Sequence, residues 1–298
     1  MFRNAYLLLA LATLFWAGNA VAGKLAIGHV SPMALTAMRW GLATAIMLAI
    51  GLPRLRADWP VVRRNLPLLV VLGAAGFSVF NALQYSALLF TTAINISIEQ
   101  AAMPMLVFAA NFLLYRIAAA PGQIIGFTLS LLGVLLTATH GDISRLAELD
   151  LNRGDALMLL AIAIYAGYTV ALRHKPAIHW QSLMIVMCAA AFVVSLPFAL
   201  WEGLSGRLIL PDARGWVIAA YTAILPSVAS QIFFIRGVEL IGANRAGLFI
   251  NMVPIFGTLL SILILGEAFS LYHAAAMALV LGGIWLAEHS GRKRAGTS

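Results

Sequence analysis

Apolar residues in this chain gather in long runs, and the polar positions between them are brief. Ten such runs, about residues 4–23, 32–51, 66–90, 93–115, 123–139, 154–173, 181–201, 215–235, 243–265 and 271–287, account for most of the sequence. A helix needs about 20 predominantly apolar residues to cross a bilayer. The pattern therefore predicts an all-α polytopic membrane protein with ten transmembrane helices. The first run has the outline of a signal peptide: Arg3, apolar residues, then Ala20-Val21-Ala22. It exceeds a typical signal core and holds Trp16, Gly18 and Asn19, so the expectation is an uncleaved first helix.

The pattern also repeats. A shift of 150 residues lays Ala93 on Ala243, Pro104 on Pro254, Leu113 on Leu263 and Ala118 on Ala268. Leu129, Leu131, Gly133 and Leu136 then meet Leu279, Leu281, Gly283 and Leu286 without a gap. Half the chain length is the shift that a duplication gives. The expected division is a first repeat over 1–140, a linker outside the cytoplasm over 141–153, a second repeat over 154–290, and a basic cytoplasmic tail over 291–298. Asp142, Glu148, Asp150 and Asp155 crowd the linker region, which reads as a solvated connection. Five spans per repeat is an odd number, so the second copy is upside down relative to the first. Inverted repeats are a signature of alternating-access transporters, whose substrate site lies near the midplane between the copies.

Composition narrows the class further. Hydrophobic residues make up 62% and charged residues 10% of the chain, with a mean hydropathy of +0.94. Soluble domains carry about 25% charged residues, so an ordinary soluble domain is excluded. The net charge of +8 is explained by placement. With the N-terminus inside, thirteen basic residues (Arg3, Arg54, Arg56, Arg63, Arg64, Arg116, Arg173, Lys175, Arg236, Arg245, Arg292, Lys293 and Arg294) fall on the cytoplasmic side. Lys24, Arg145, Arg153, Arg207 and Arg214 fall on the other. This positive-inside bias puts both termini in the cytoplasm, in a bacterial inner membrane, and leaves no basic surface that calls for nucleic acid. The single cysteine, Cys188, supports neither a disulfide framework nor a zinc site.

Two charges lie inside spans. Glu99 and Arg39 are each six or seven residues into helices that start on the outer side, so both sit roughly 10 Å below the outer edge. Equal depth permits a salt bridge between them. The other reading of Arg39 is a structural one, in which it snorkels or caps carbonyls. An intramembrane carboxylate is costly and marks a functional site by default. Pro104 follows Glu99 closely, its counterpart Pro254 interrupts the ninth span, and Pro226 breaks the eighth. These three prolines are candidate hinges, because interrupted helices at corresponding positions point to the substrate site.

Polar and aromatic residues recur at helical spacing: Trp16 and Asn19 in the first span, Asn81, Gln84 and Tyr85 in the third, Tyr165 and Tyr168 in the sixth, Gln231 in the eighth and Asn251 in the ninth. With Glu99 they make up the expected substrate-binding set around a central polar, aromatic-lined cavity. Each taken alone also serves as interhelical glue. No G-x-x-x-x-G-K-[ST] motif supports an ATP-driven pump, and no H-E-x-x-H or triad suggests an enzyme. All six histidines fall near span ends, and Gly122-x-x-x-Gly126 with Ser130 and Gly133 reads as close helix packing. No cofactor or metal is expected. The partners are a small-molecule substrate, the bilayer and, as a candidate coupling ion, the proton; the oligomeric state is open and compatible with a monomer.

LFWAGNAVAGKLA, SPMALTAMRWGLA, ALQYSALLFTTAINISIEQAAMP and LGEAFSLYHAAAMALVLGGIWL resemble segments of the EamA-type drug/metabolite transporters over nearly the whole chain. The resemblance implies two inverted five-helix repeats with a cavity lined mainly by the first, third, fourth, sixth, eighth and ninth helices. It further implies export of amino acids, other metabolites or drugs, with exporters of aromatic and other amino acids the first expectation. Efflux of lipophilic cations is the alternative; a membrane enzyme or sensor would need a polar catalytic or signalling segment that no loop supplies. Gly266-Glu267 keeps a family feature that Arg116-Ile117 replaces in the first copy. Glu99 stands where the family usually has an apolar residue, whereas Arg is common at the position of Arg39, which favours the structural reading of that residue.

Overall fold

The computed structural model describes residues 4–116, 121–142 and 152–295. Ten apolar helices cross in succession: α1 (Ala5–Leu25), α2 (Pro32–Arg64), α3 (Leu66–Ala87), α4 (Ala93–Tyr115), α5 (Pro121–Ala138), α6 (Arg153–His174), α7 (Trp180–Leu204), α8 (Ala213–Ile241), α9 (Arg245–Leu265) and α10 (apolar over Leu271–Ala287). The first nine are long and apolar enough to span a bilayer. The apolar part of α10 sits at the short end of the spanning range, about 17 residues. The chain ends share one face, here the terminal side; the connection between α5 and α6 lies on the other, the linker side.

Two helices outrun their sequence-predicted ends. α2 continues past Gly51 to Arg64, through Pro53 and Pro60. A proline inside a helix strands the carbonyl four residues back. Here those carbonyls belong to Ala49 and Arg56, which are exposed, so water or headgroups can satisfy them. The last helix runs on to Ala295, so most of the expected basic tail is helical. The linker residues 143–151, among them Arg145, Glu148 and Asp150, lie outside the described residues.

The neighbours of each helix repeat across the two halves. α5 packs along α10 and α2 along α7; α1 meets α8 and α9 as α6 meets α3 and α4; α3 with α7 is matched by α8 with α2. Exchanging α1–α5 with α6–α10 maps this set onto itself. Because each half makes five crossings, counterparts run in opposite directions and the halves form an inverted pair. Irregularities correspond too. π-helical stretches occupy Ala74–Val79 in α3 and Ala223–Ala229 in α8. α4 breaks after Gln100 and restarts at Met103–Pro104, and a 3-10 stretch over Leu248–Met252 precedes Val253–Pro254 in α9. Both prolines stand in the first turn of the restarted segment, where their missing N–H costs nothing.

Carboxylates at helix N-termini close the linker side. Glu267 accepts the Ala93 and Ile94 amides at the start of α4, at 2.8 and 3.0 Å. Glu202, at the end of α7, accepts the Ser31 hydroxyl at 2.5 Å and the Ala34 amide at 3.2 Å at the start of α2. Negative charge there also complements the helix dipole. Gly266, at φ +66°, makes the turn that aims Glu267. Its counterpart Arg116 adopts the same left-handed conformation at φ 51° without glycine's freedom. Lys24 Nζ adds bonds to the Leu88 and Thr91 carbonyls at 2.8 and 2.7 Å.

The α5–α10 seam depends on missing side chains. A Cβ on Gly126 would lie 2.3 Å from the Gly283 carbonyl oxygen, one on Gly283 would lie 2.5 Å from that of Gly126, and one on Gly133 would lie 2.7 Å from that of Ala276. Small residues let backbones approach where lipid supplies no hydrophobic drive. Gly283→Ala should therefore destabilise by about 1–3 kcal/mol, the usual size of overpacking, seen as earlier melting in detergent. Gly282→Ala, with nothing within 4 Å of its Cβ, serves as the control and should not melt earlier. Equal melting of the two variants would contradict the close seam.

Candidate functional site

Between the repeats lies a cavity of about 630 Å³, well within the size range of small-molecule sites. Trp16 and Asn19 enter from α1, Asn81 and Gln84 from α3, Tyr165 and Tyr168 from α6, Gln231 from α8 and Asn251 from α9. Pro104, Pro226 and Pro254 also line it. The cavity reaches Leu172, Trp180, Ile235 and Ile250 near the terminal-side ends of their helices. It therefore opens toward the terminal side and is shut toward the linker side.

Local irregularity aims these side chains. The π-helical stretch in α3 turns Phe77, Phe80, Asn81 and Gln84 toward the cavity. Gly76 leaves room for a ring: a Cβ there would lie 2.5 Å from Tyr168. Tyr168 in turn packs against Tyr165 with ring centroids 5.1 Å apart, and Tyr165 against Phe80 at 5.0 Å. Across the cavity Trp16 packs on Phe234 at 5.3 Å and donates its Nε1–H to the Pro226 carbonyl at 3.1 Å. Trp40 stacks on Phe77 at 4.6 Å with ring planes 11° apart.

At the closed end sits Arg39, 5% exposed. Its Nη1 is within 2.6 Å of Asn19 Oδ1, 2.7 Å of Asn81 Oδ1 and 2.6 Å of Tyr85 Oη, and its Nε donates to Ser227 Oγ at 2.7 Å. Tyr85 donates its own O–H to Asn19 Oδ1 at 2.8 Å, and Asn19 donates to Gln84 Oε1 at 3.0 Å. Every one of these partners is neutral. Arg39 is also the one charged side chain among the described residues lining the cavity.

Three expectations are corrected here. The Arg39–Glu99 salt bridge does not form. Glu99 shares a face of α4 with Asn95, which bonds to α6 and α10, whereas Arg39 points to α1, α3 and α8. Their depths match, but their directions around the bundle do not. Glu99 is 0% exposed, makes no hydrogen bond through either oxygen and does not line the cavity. Tyr85 is displaced as well: it lies between the cavity and a second hollow of about 430 Å³ on the linker side, which it helps to line. Its hydroxyl is part of the partition between the two.

Sequence reasoning also missed residues that shape the cavity. Trp40, Phe77, Phe80, Trp180 and Phe234 carry no polar mark to separate them from lipid-facing aromatics in an apolar run. Gln100, beside Glu99, does reach the cavity, and Ser227, on the same polar face of α8 as Gln231, lines it while accepting an Arg39 bond. Among the described residues no group of three His, Cys, Asp or Glu is placed to hold a metal.

Comparison with known proteins agrees with this arrangement. The EamA-like transporter family matches twice, at residues 3–139 and 152–288. The uncharacterized transporter YyaM of Bacillus subtilis is 27% identical over 96% of this chain and 93% of its own length. An uncharacterized transporter of Archaeoglobus fulgidus is 26% identical over 96% of this chain and 98% of its own. A solved structure described only as "Crystal structure of protein" shares the fold, with a TM-score of 0.64 and 23% identity over 97% of this chain and 98% of that one. Two matched copies of one domain, ten apolar helices and a cavity between the copies place the chain in the EamA-like transporter family, as a multi-pass membrane transporter.

Proposed function

We propose that this transporter exports small amphipathic carboxylates, neutral amino acids with aromatic or aliphatic side chains first, across a bacterial inner membrane by alternating access. One observation carries the reading: a buried guanidinium whose partners are all neutral stands at the blind end of an aromatic cavity. A buried charge is costly unless paired, and a substrate carboxylate is the counterion that the site lacks. Charge-assisted bonds from arginine to a carboxylate are short and directional.

The walls suit the rest of such a molecule. The rings of Trp16, Phe80, Tyr165 and Tyr168 offer faces to an apolar side chain or an ammonium group, the latter contact supplying about 0.5–2 kcal/mol. Gln84, bonded to Asn19 beside the Arg39 network, would orient the polar end, while Gln231 and Asn251 add polar groups further along the wall. A carboxylate that draws Arg39 away from Tyr85 and Asn19 would loosen the partition toward the linker side. The helix breaks before Pro104 and Pro254 and around Pro226 supply places for the walls to bend. The positive-inside bias puts the terminal side in the cytoplasm, so the open cavity faces the cytoplasmic pool. A site charged only by Arg39 repels cations, which counts against efflux of lipophilic cations.

Two measurements test this. In proteoliposomes, Arg39→Gln should raise the KM for labelled phenylalanine exchange by roughly 10- to 150-fold, the equivalent of one lost charged hydrogen bond, with Arg39→Lys in between. An unchanged KM for Arg39→Gln would remove Arg39 from recognition. In the second, excess phenylalanine should block labelled leucine exchange while phenylalanine methyl ester, which lacks the carboxylate, competes at least tenfold less well. Equal competition by the ester, or strong competition by a quaternary ammonium ion, would turn the assignment toward cations.

A further inference from the structure

Outside the substrate cavity, α4 carries a second polar site toward the linker side. Asp155, at the start of α6, is buried, and its Oδ1 accepts the Thr91 hydroxyl at 2.5 Å and the Asn95 amide at 3.5 Å. Asn95 also donates to Thr91 Oγ1 at 3.1 Å and faces His273 Nε2 of α10 at 3.1 Å through its Oδ1. His273 Nδ1 accepts the Ser270 amide at 2.9 Å, so Nε2 bears the proton and donates to Asn95. The chain is thus directed from His273 through Asn95 and Thr91 to Asp155. It leaves Asp155 Oδ2 buried without a partner, and Glu99, one turn further in from Asn95, with both oxygens in the same condition.

We propose that Glu99 and Asp155 form a proton-binding site, separate from the substrate cavity, through which transport is coupled to a proton gradient. This deepens the transporter reading and rests on it. Among the described residues neither carboxylate has a cation as hydrogen-bond or ion-pair partner. The charged and titratable groups around them are otherwise engaged or at the rim. Lys24 of α1 is held by the Leu88 and Thr91 carbonyls, and Glu267 after α9 by the Ala93 and Ile94 amides. His140 at the end of α5 and Tyr272 of α10 pack ring to ring at 6.2 Å. Two carboxylates without a cation call for one, and a proton needs no shell of ligands. Glu99 is fully buried on a helix whose Ile94 and Ile98 pack with Leu159 and Ala276 in one apolar cluster.

The other repeat shows that the scaffold does not require carboxylates here. At the repeat shifts of 150 and 149 residues, Glu99 corresponds to Phe249 and Asp155 to Tyr6, and those two rings pack with centroids 6.0 Å apart. The same helix crossing is filled by aromatic contact in one half and by acids in the other. Location supplies the coupling. α4 breaks at Ala101–Ala102, directly after Glu99, and Gln100 between them reaches the cavity with its Nε2 unpartnered. A proton taken up from the linker side and released to the terminal side would change the charge beside the hinge that forms the cavity wall, in exchange for substrate moving outward.

The test uses the full chain in proteoliposomes, with labelled phenylalanine as probe and an internal pH dye, together with infrared spectra. Wild type should accumulate phenylalanine several-fold against its gradient when a pH gradient is imposed, and should move protons when phenylalanine is added. Glu99→Gln and Asp155→Asn should lose the gradient-driven component while keeping exchange at equal pH. That retained exchange also reports folding. In the infrared, the C=O band of a protonated carboxyl should be present in wild type and absent in Glu99→Gln, a readout independent of which substrate is carried. Gradient-driven uptake that survives in both variants, or is driven equally by sodium, overturns the proton site. So does wild-type exchange that ignores the pH gradient, but that result leaves the transporter reading standing. Absence of phenylalanine exchange in wild type with the carboxyl band present overturns the substrate assignment instead. Should Glu99→Gln fail to insert, Asp155→Asn and the wild-type proton flux still decide.

Discussion

The closed end of the cavity is organised by one buried cation without an anion. Moving a guanidinium out of water costs several kcal/mol even after relaxation, and hydrogen bonds to a charged group return about 1.5–3 kcal/mol each. Arg39 therefore needs its four neutral oxygens, which come from three helices besides its own: Asn19 of α1, Asn81 and Tyr85 of α3, and Ser227 of α8. The bonds fix how these helices meet at one depth and leave the charge itself unneutralised. One arrangement thus ties these helices together on the linker side and, on the proposed reading, keeps an anion site ready.

Much of this architecture can be read from sequence because bilayer physics is one-dimensional. Run length gives the number of helices, basic residues give an orientation, and an odd number of spans per repeat forces inversion. The prolines at 104 and 254 announced the breaks, since each removes a donor that a helix interior needs. Rotation about the helix axis was not legible. Depth is counted along the chain, but the direction of a side chain depends on which neighbour packs where and on local changes of pitch. The π-helical stretches at Ala74–Val79 and Ala223–Ala229 alter that direction without any marker in composition. The Arg39–Glu99 pairing failed for this reason, and Tyr85 moved from lining to partition.

Symmetry separates scaffold from function. The seam glycines Gly133 and Gly283, the π-helical stretches in α3 and α8, the breaks before Pro104 and Pro254 and the left-handed turns at Arg116 and Gly266 recur between the halves. The charges do not. Arg39 corresponds to Cys188, Glu99 to Phe249 and Asp155 to Tyr6. What recurs builds the bundle, and what does not recur distinguishes one face of it from the other.

That division bears on how the cavity changes sides. For a perfectly symmetric inverted pair, exchanging the conformations of the halves gives a state of equal energy that opens to the other side. Here α1 lies against α8 as α6 lies against α3, so the exchange is geometrically available. Only the unmatched residues make the two states differ in free energy, and a ligand can shift the balance only through its different affinity for the two. Arg39 holds the linker side shut through Tyr85 and Asn19, while its counterpart Cys188 has no comparable hydrogen bonds to offer in the exchanged state. On the alternating-access reading proposed above, this asymmetry favours the terminal-side opening in the empty protein. In the proposed mechanism an anion that competes for the Arg39 guanidinium would act on the very bonds that set this bias, so recognition and gating would draw on the same side chain.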